Sequence, residues 1–390
     1  MSRHSRRELL QGLGGLGVAI VASPRLRAAQ PGGAARFAYV GGFNDPQRKE
    51  HGEGISVFRI DASGQWTLVH VLRDVVNPGY LILDRAQRVL YAVQQRTESV
   101  SAFAIDASSG VPTLINTEAT GGLNPAHLSL DGSGRFLVVA NYGGGTIAVL
   151  PVRPDGGLGP RSDLVTLSGP LGPHRTEQAS SHPHHCPFDP TGRFVAVPDK
   201  GLDRVFVYRF DATTGRLVPA ATPFVSTRAG AGPRHIAFHR TAGCAYVINE
   251  LDSTVTTCRW NGDGTLQAVQ VVPSTPTSFV GDNTGSEVVI SRGGRLLFAS
   301  NRGHDSVGVF AIDAADGLLA PLGWEPTAGA TPRFIGLSPY GTRLFAANQN
   351  GDTIVSWDVD EPRQRLTRTP AVVKVGCPTV IAWSDRRSHT

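Results

Sequence analysis

Short stretches in which hydrophobic and polar residues alternate recur along the chain at a spacing of about 50 residues. Each repeat begins with an apolar segment that usually follows a proline, as in 232–238, and a turn rich in Gly, Asp or Arg comes next. A second apolar segment then ends in a polar residue, and a third segment alternates cleanly, as in 205–211. Alternation between such turns predicts short antiparallel strands. With a fourth strand after the next turn, each repeat is typical of one blade of a β-propeller.

The number and order of these segments predict a closed ring. Seven segments of the second kind can be counted, beginning with 37–40, and seven of the first kind, ending with 378–383. The chain therefore starts on a second strand and ends on a first strand, so the last strand should complete the N-terminal blade and leave no exposed sheet edges. We predict one all-β domain over residues 36–384, a single seven-bladed β-propeller, although a length of 390 residues would ordinarily suggest two or three domains.

The composition supports this prediction and excludes several classes of protein. Glycine and proline are frequent, with 46 and 27 residues, and 40% hydrophobic residues is too high for a disordered protein. No apolar run reaches the roughly 18 residues that a membrane span needs, so no membrane partner is expected. The cysteines are too scattered for a disulfide framework or a CxxC-type zinc site, as their positions show: Cys186, Cys244, Cys258 and Cys377.

The N-terminal segment changes the meaning of the net charge. Arg6 and Arg7 precede a short apolar stretch, which is typical of a Tat-type signal peptide, here residues 1–29. The expected location is therefore periplasmic or secreted, or cytoplasmic if these residues are not a signal. The net charge of +5 falls to +1 without the five arginines and one glutamate of this segment. Such a balanced remainder gives no reason to expect a nucleic-acid partner.

The predicted topology brings two positions of every blade to one mouth of the central channel. The first strand is innermost and starts at that mouth, and the second strand runs back and ends there. This mouth is where a propeller usually binds small ligands. The residues expected there combine positive charge, carboxylates and imidazoles: His127, His182, His184, His235, Arg234, Arg302, Arg333, Asn249, Asn301, Glu250 and Glu287.

Structural roles are alternatives for several of these side chains. The histidines could join neighbouring blades by hydrogen bonds, and the arginines could form a structural ion-pair network with Glu250. For Asn141 and Asn348, which also end second strands, we expect a turn-capping role. His182, His184 and His185 could bind a metal ion, but no matching ligand pair is near them in the sequence, so no metal site is predicted.

Several motifs closely resemble the lactonase family of seven-bladed propellers, which includes a propeller type of 6-phosphogluconolactonase and a fungal 3-carboxymuconate lactonizing enzyme. The resemblance covers nearly everything after residue 36. It rests on His182-Pro-His, Pro198-Asp-x-Gly-Leu-Asp-Arg-Val, Gly232-Pro-Arg-His, Val247-Ile-Asn-Glu-Leu-Asp-Ser-Thr-Val and Ser300-Asn-Arg-Gly-His-Asp-Ser-Val.

The resemblance implies a catalytic set of one histidine, two arginines and one glutamate. By motif these are His184, Arg234, Arg302 and Glu250, with Arg333 as the alternative for the second arginine. The chain departs from the usual pattern at His185, Cys186 and Lys200, and it carries the predicted export signal. These departures concern the substrate more than the scaffold.

The chemistry expected of these residues is the hydrolytic opening of a sugar-acid lactone, without a cofactor, by a monomer whose partner is a small-molecule lactone or carboxylated sugar acid. Glu250 would activate water, or would orient His235 to do so. Arg234 and Arg302 would bind a carboxylate or phosphate and stabilise the oxyanion. His184 would protonate the leaving alkoxide.

Three other functions fit the same sequence. A cycloisomerase acting on a muconate-like acid would use the same acid and base, and substrate assays would separate it from a hydrolase. A metal-dependent lactonase would lose activity on chelation. A non-catalytic binding propeller would bind ligands but turn over no lactone.

Overall fold

The computed structural model describes residues 36–385, and the side chains of 36–384. The predicted signal peptide, residues 1–29, lies outside the described residues and stays a prediction. Seven antiparallel sheets follow one another along the described chain. This confirms the seven-bladed β-propeller.

The strands fall into blades in chain order. Blade 1 contains β1 (Arg36–Gly42), β2 (Ile55–Ile60), β3 (Trp66–Leu72) and β27 (Pro378–Asp385). Blade 2 contains β4 (Leu81–Leu83), β5 (Val89–Gln94), β6 (Ser99–Ile105) and β7 (Pro112–Ala119). Blade 3 contains β8 (Pro125–Leu130), β9 (Phe136–Asn141), β10 (Thr146–Pro151) and β11 (Asp163–Thr166). Blade 4 contains β12 (Phe194–Asp199), β13 (Arg204–Asp211) and β14 (Arg216–Ser226). Blade 5 contains β15 (Pro233–Phe238), β16 (Cys244–Asn249), β17 (Thr254–Trp260) and β18 (Leu266–Pro273). Blade 6 contains β19 (Thr284–Ile290), β20 (Leu296–Arg302), β21 (Ser306–Ile312) and β22 (Leu319–Pro326). Blade 7 contains β23 (Pro332–Leu337), β24 (Arg343–Asn348), β25 (Thr353–Asp360) and β26 (Arg365–Lys374). Two 3₁₀-helices, Pro46–Arg48 and Gln349–Gly351, lie in loops.

The ring closes where the sequence predicts. The last strand, β27, pairs antiparallel with β1, and Ala38 faces Trp383 while Val40 faces Ile381. The N-terminal blade is therefore built from both ends of the described chain, and its edges are covered.

Blade 4 differs from the prediction because its innermost strand is irregular. The segment 182–188, expected to be a regular strand, forms only isolated bridges from Pro183 to Asp199 and from Phe188 to Val195. Pro183 and Pro187 have no N–H group to donate to a strand ladder, which explains the interruption. The sheet consequently has three strands, and its inner segment carries His184 on a less regular backbone.

A sharp turn leads into the inner strand of five blades. The residue before the proline has a left-handed backbone there, with φ of 43° at Asn77, 58° at Asn124, 62° at Gly232, 62° at Thr331 and 44° at Cys377. Left-handed φ is uncommon for residues other than glycine. Its repetition shows that each of these blades directs its chain into the channel by the same turn.

The hydrophobic core is divided among the contacts between neighbouring blades. Each cluster joins strands of adjacent sheets, as where Phe136 and Val149 of blade 3 pack with Phe206 and Phe210 of blade 4. The cluster at the closure joins blade 1 to its neighbours on both sides. No helix among the described residues is long and apolar enough to cross a membrane.

Candidate active site

A cavity of about 360 Å³ opens at the predicted mouth of the channel. Its wall takes one residue from the end of the second strand in six blades. In five blades this is the residue just after the strand, and in blade 6 it is Arg302, the last strand residue; the other five are Phe43, Gln95, Tyr142, Glu250 and Gln349. In blades 3, 5, 6 and 7 the residue before this position is an asparagine, which does not line the cavity because successive side chains of a strand alternate in direction.

A narrow inner cavity of about 10 Å³ shares part of this wall and is lined from the inner strands. The position that follows the strand-leading proline contributes a residue from six blades: Gly79, Ala126, His184, Arg234, Arg333 and Thr379. His184 and Arg333 line both cavities. These two side chains therefore stand where a ligand in the larger cavity would meet the channel.

Glu250 is held by three cations. Its Oε2 lies 3.2 Å from Nε of Arg234 and 3.3 Å from a terminal nitrogen of Arg302, and its Oε1 lies 3.3 Å from Nζ of Lys200. Lys200 also pairs with Glu177 at 2.7 Å. Arg234 is fixed further by a hydrogen bond of 2.6 Å to the carbonyl oxygen of Ser286. Glu250 thus neutralises part of a strongly positive cluster.

The charge state of Glu250 follows from these neighbours. Burial by itself would raise the pKa of Glu250, but Arg302, Lys200 and Arg234 outweigh it and lower the pKa to about 2. Both carboxylate oxygens face these cations, so a proton on Glu250 would have to displace an ion pair. The arrangement suits Glu250 to organise the arginines better than to accept a proton.

Arg333 is partly exposed, and unlike Arg234 and Arg302 it forms no ion pair with any described residue. Its guanidinium lies 5.0 Å from the ring centre of Phe43, a cation–π contact across the mouth. Burial first, and the nearby Arg234 and Arg302 second, lower the pKa of Arg333 to about 9. Glu250 offsets part of this positive charge from a distance, but no carboxylate pairs with Arg333 directly, so its guanidinium is available to a ligand that brings a negative charge.

A chain of hydrogen bonds leads from a buried carboxylate to the cavity. Oε1 of Glu287 lies 2.7 Å from Nδ1 of His235, and Nε2 of His235 lies 3.1 Å from Nδ1 of His184. All three side chains are at least 90% buried. Nε2 of His184 has no hydrogen-bond partner among the described residues. The chain therefore ends in a free ring nitrogen on a cavity-lining residue.

The protonation of this chain is set by burial and by neighbouring charge. Burial, followed by the positive charge of Arg234, lowers the pKa of both His184 and His235 well below the usual value. Burial also raises the pKa of Glu287 to about 7. Both imidazoles are therefore neutral at neutral pH, while Glu287 titrates there.

Only some of the predicted site residues line the cavities. His184, Glu250, Arg302 and Arg333 line the larger cavity, and Arg234, His235 and Glu287 line the inner one. The other four lie outside both linings and have structural contacts there: His127, His182, Asn249 and Asn301. His127 makes a tilted ring contact with Tyr80 and an edge-on contact with His185, and His182 stacks on Tyr142. Asn249 bonds Thr254 and Thr256 within its own blade, and Asn301 bonds Ser274.

Three features escaped the sequence reasoning. Glu287, and not Glu250, contacts His235. Lys200, noted only as a departure from the family pattern, pairs with Glu250. Arg96 reaches the cavity wall and pairs with Glu50 at 2.6 Å. For Lys200 the usable signal in the sequence is its position directly after the second strand, which also marks Gln95, Tyr142 and Gln349.

Comparison with known proteins shows the family of the chain. The model of the family described as lactonase, 7-bladed beta-propeller, matches residues 37–383. The chain belongs to this lactonase family. The expectation that it is an enzyme, a lactonase, is therefore confirmed.

Relatives of this lactonase carry related names. A 6-phosphogluconolactonase of Bacillus subtilis is 32% identical over 89% of this chain and 98% of its own length. One of Formosa agariphila is 32% identical over 85% of this chain and 95% of its own. The solved structure of a periplasmic gluconolactonase of Pseudomonas aeruginosa superposes with a TM-score of 0.83 at 31% identity, covering 90% of this chain and 99% of that one.

Proposed function

We propose that this lactonase hydrolyses an anionic sugar-acid lactone, with His184 as the base that activates water. The observation that carries the proposal is the chain from Glu287 through His235 to His184, which ends in the cavity next to the unpaired Arg333. A base oriented by a second group, beside a positive charge for the oxyanion, is the arrangement that attack on a carbonyl carbon requires.

The direction of the hydrogen bonds gives His184 its role. When Glu287 is ionised, it accepts the Nδ1–H of His235, and Nε2 of His235 then accepts the Nδ1–H of His184. This order leaves a lone pair on Nε2 of His184, which is the form a base needs. Glu287 is thus a positioning residue that selects the tautomer of His184 through His235.

The reaction then proceeds with one proton carried by His184. A water molecule attacks the lactone carbonyl carbon, and Nε2 of His184 takes its proton. Arg333 and Arg302 stabilise the negative charge on the carbonyl oxygen. Collapse of the tetrahedral intermediate breaks the ring C–O bond, and His184 returns the proton to the leaving alkoxide. Water and lactone give one hydroxy acid.

This proposal alters the role first expected of Glu250. Its low pKa and three cationic partners suit it to hold Arg234 and Arg302 in place. His184, first expected to act only as the acid, takes both proton-transfer steps.

The substrate class follows from the unpaired charge. Arg333 favours a lactone with a carboxylate or phosphate group, and several relatives are named for a phosphorylated lactone. If residues 1–29 direct export, the substrate is encountered outside the cytoplasm, as the name of the Pseudomonas aeruginosa neighbour indicates for that protein.

The experiment that tests the function is turnover on a panel of aldonolactones, phosphorylated, carboxylated and neutral, with a muconate-type acid included. Release of the hydroxy acid from an anionic lactone would support the proposal. Turnover of the muconate-type acid alone would favour a cycloisomerase, and binding without turnover of any lactone would favour a binding propeller.

Replacing Arg333 by glutamine should lower kcat/KM for an anionic lactone by about 10–100-fold, the usual size of a lost charged contact. For a neutral lactone the loss should be smaller, because no ligand charge is left unpaired. Steady-state kinetics on the matched pair of substrates measures the difference. Arg343→Gln is the control, since Arg343 lies outside this cavity and pairs with Asp358 at 3.1 Å. An equal loss on both substrates would contradict anion binding by Arg333.

The rate should rise with pH through the neutral range. Burial raises the pKa of Glu287 to about 7, and only the ionised form selects the basic tautomer of His184. We expect kcat/KM to increase along one limb between about pH 6 and 8, with an apparent pKa that belongs to the coupled chain. A flat profile across this range would show that Glu287 does not control the base.

A further inference from the structure

A second cluster of metal-ligating side chains lies at the closure of the ring. His51, Asp352 and Cys377 bring their ligand atoms within 4.8 Å of one another. His51 belongs to the loop between β1 and β2, Asp352 to the turn between β24 and β25, and Cys377 precedes the closing strand β27. Among the residues the structure describes, no other group of three such side chains is this compact.

The spacing of two donors fits a metal ion. Sγ of Cys377 lies 3.6 Å from Nδ1 of His51. Two ligands at about 2.3 Å and 2.0–2.1 Å from a tetrahedral zinc ion are separated by about 3.5 Å. Little movement of either side chain is therefore needed to place an ion between them. The side chain of His51 is 63% exposed, which gives an ion access and leaves room for water ligands.

The third residue prepares the histidine for this role. Oδ2 of Asp352 lies 2.9 Å from Nε2 of His51. A carboxylate at Nε2 holds the proton there, as in the carboxylate–histidine–zinc arrangement, and an ion bound at Nδ1 displaces the present contact of 3.3 Å between Nδ1 and the carbonyl oxygen of Lys49. Asp352 is itself held, because its Oδ1 accepts a hydrogen bond of 2.9 Å from the backbone N–H of Cys377.

We propose that His51 and Cys377 bind a borderline or soft divalent ion of the zinc class, with Asp352 as the positioning carboxylate. Binding forms an ion–thiolate bond and releases the thiol proton to solvent. The ion ties the β1–β2 loop to the segment that leads into β27. This site is separate from the proposed catalytic chemistry, which uses no metal.

The loop held in this way also forms part of the cavity wall. Phe43 and Glu50 line the cavity, and Glu50 is the neighbour of His51 in sequence. The backbone N–H of Phe43 donates to the carbonyl oxygen of Cys377 at 3.1 Å. An ion at the closure would therefore hold the loop on which these two wall residues are placed.

The test is zinc binding by the purified, chelator-treated full chain. We expect about one equivalent of Zn²⁺ to be retained after dialysis, measured by elemental analysis. Since the ion binds the folded chain, Zn²⁺ at 100 times its Kd should raise Tm by about 3–4 °C.

Variants separate this site from adventitious binding. Cys377→Ser and His51→Ala should abolish both the retained zinc and the Tm shift. Asp352→Asn should weaken zinc binding by about 10–100-fold, the usual effect of a lost outer-shell partner. His70→Ala, which removes a histidine of β3 outside the cluster, should bind as the unaltered chain does. The proposal would be overturned if the unaltered chain retained no zinc, or if Cys377→Ser and His51→Ala bound as much zinc as the unaltered chain does.

Discussion

Replacing His184 by glutamine should lower kcat by about 10²–10⁴, the usual contribution of a positioned acid–base group. The reason is that Nε2 of His184 is the free end of the chain that begins at Glu287, and an amide side chain cannot take up the proton of water. The effect on Tm should be small, because glutamine retains polar atoms near His235. Steady-state kinetics on an anionic lactone and thermal unfolding measure the two quantities.

His182→Gln is the matched control. His182 lies two residues away, stacks on Tyr142 and does not line the cavity, so its replacement should leave kcat within a few-fold of the original. Full activity in His184→Gln would show that the base must be sought elsewhere on the ring.

A second substitution tests whether the chain acts as a unit. Glu287→Gln removes the carboxylate that selects the tautomer, so it too should reduce kcat strongly. Residues that act as a unit have non-additive effects. The double variant with His184→Gln should therefore be little worse than His184→Gln alone.

The architecture could be predicted because propeller blades repeat. Alternation with period two, turns at constant spacing and the count of strands at each end determine the number of blades and the closure by β27. The exception, the inner segment of blade 4, contains two prolines. The segment otherwise resembles most other first strands in its leading proline and final large hydrophobic residue, so only the second proline, Pro187, distinguishes it in the sequence.

The site could be predicted in position but not in pairing. Topology places Arg234, Glu250 and Arg302 at one mouth, and the structure brings them within ion-pair distance. The contact between Glu287 and His235 depends on which way two buried side chains turn between neighbouring blades. A single sequence gives the neighbouring positions on the ring but not these rotamers.

Replacing Glu250 by glutamine should destabilise the fold by about 3–5 kcal/mol, as expected when one partner of a buried ion cluster is removed. Arg234, Arg302 and Lys200 would lose the carboxylate they share, and Arg234 and Lys200 are almost fully buried. Chemical denaturation at neutral pH measures the loss. Activity should fall as well, because the arginines lose their common anchor.

The contribution of Glu250 to the free energy of unfolding should depend on pH. The folded-state pKa of Glu250 is lowered to about 2 from 4.5, so its stabilising effect is present above the unfolded pKa and is lost as the pH falls toward 2. The difference in stability between the original chain and Glu250→Gln should therefore be largest near neutral pH and shrink in acid.

The control is Glu53→Gln, which breaks an exposed pair with Arg73 at 2.9 Å. An exposed pair of this kind contributes about 0–1 kcal/mol, so this variant should unfold almost as the original does.

If Glu250→Gln unfolds like Glu53→Gln but is inactive, the carboxylate acts in the reaction itself, as the sequence first suggested. If instead it is destabilised, and added sulfate stabilises Glu250→Gln more than it stabilises Glu53→Gln, the gain beyond the general effect of sulfate shows the cluster's need for a negative charge. The same need would then explain why an anionic lactone, rather than a neutral one, suits the cavity beside Arg333.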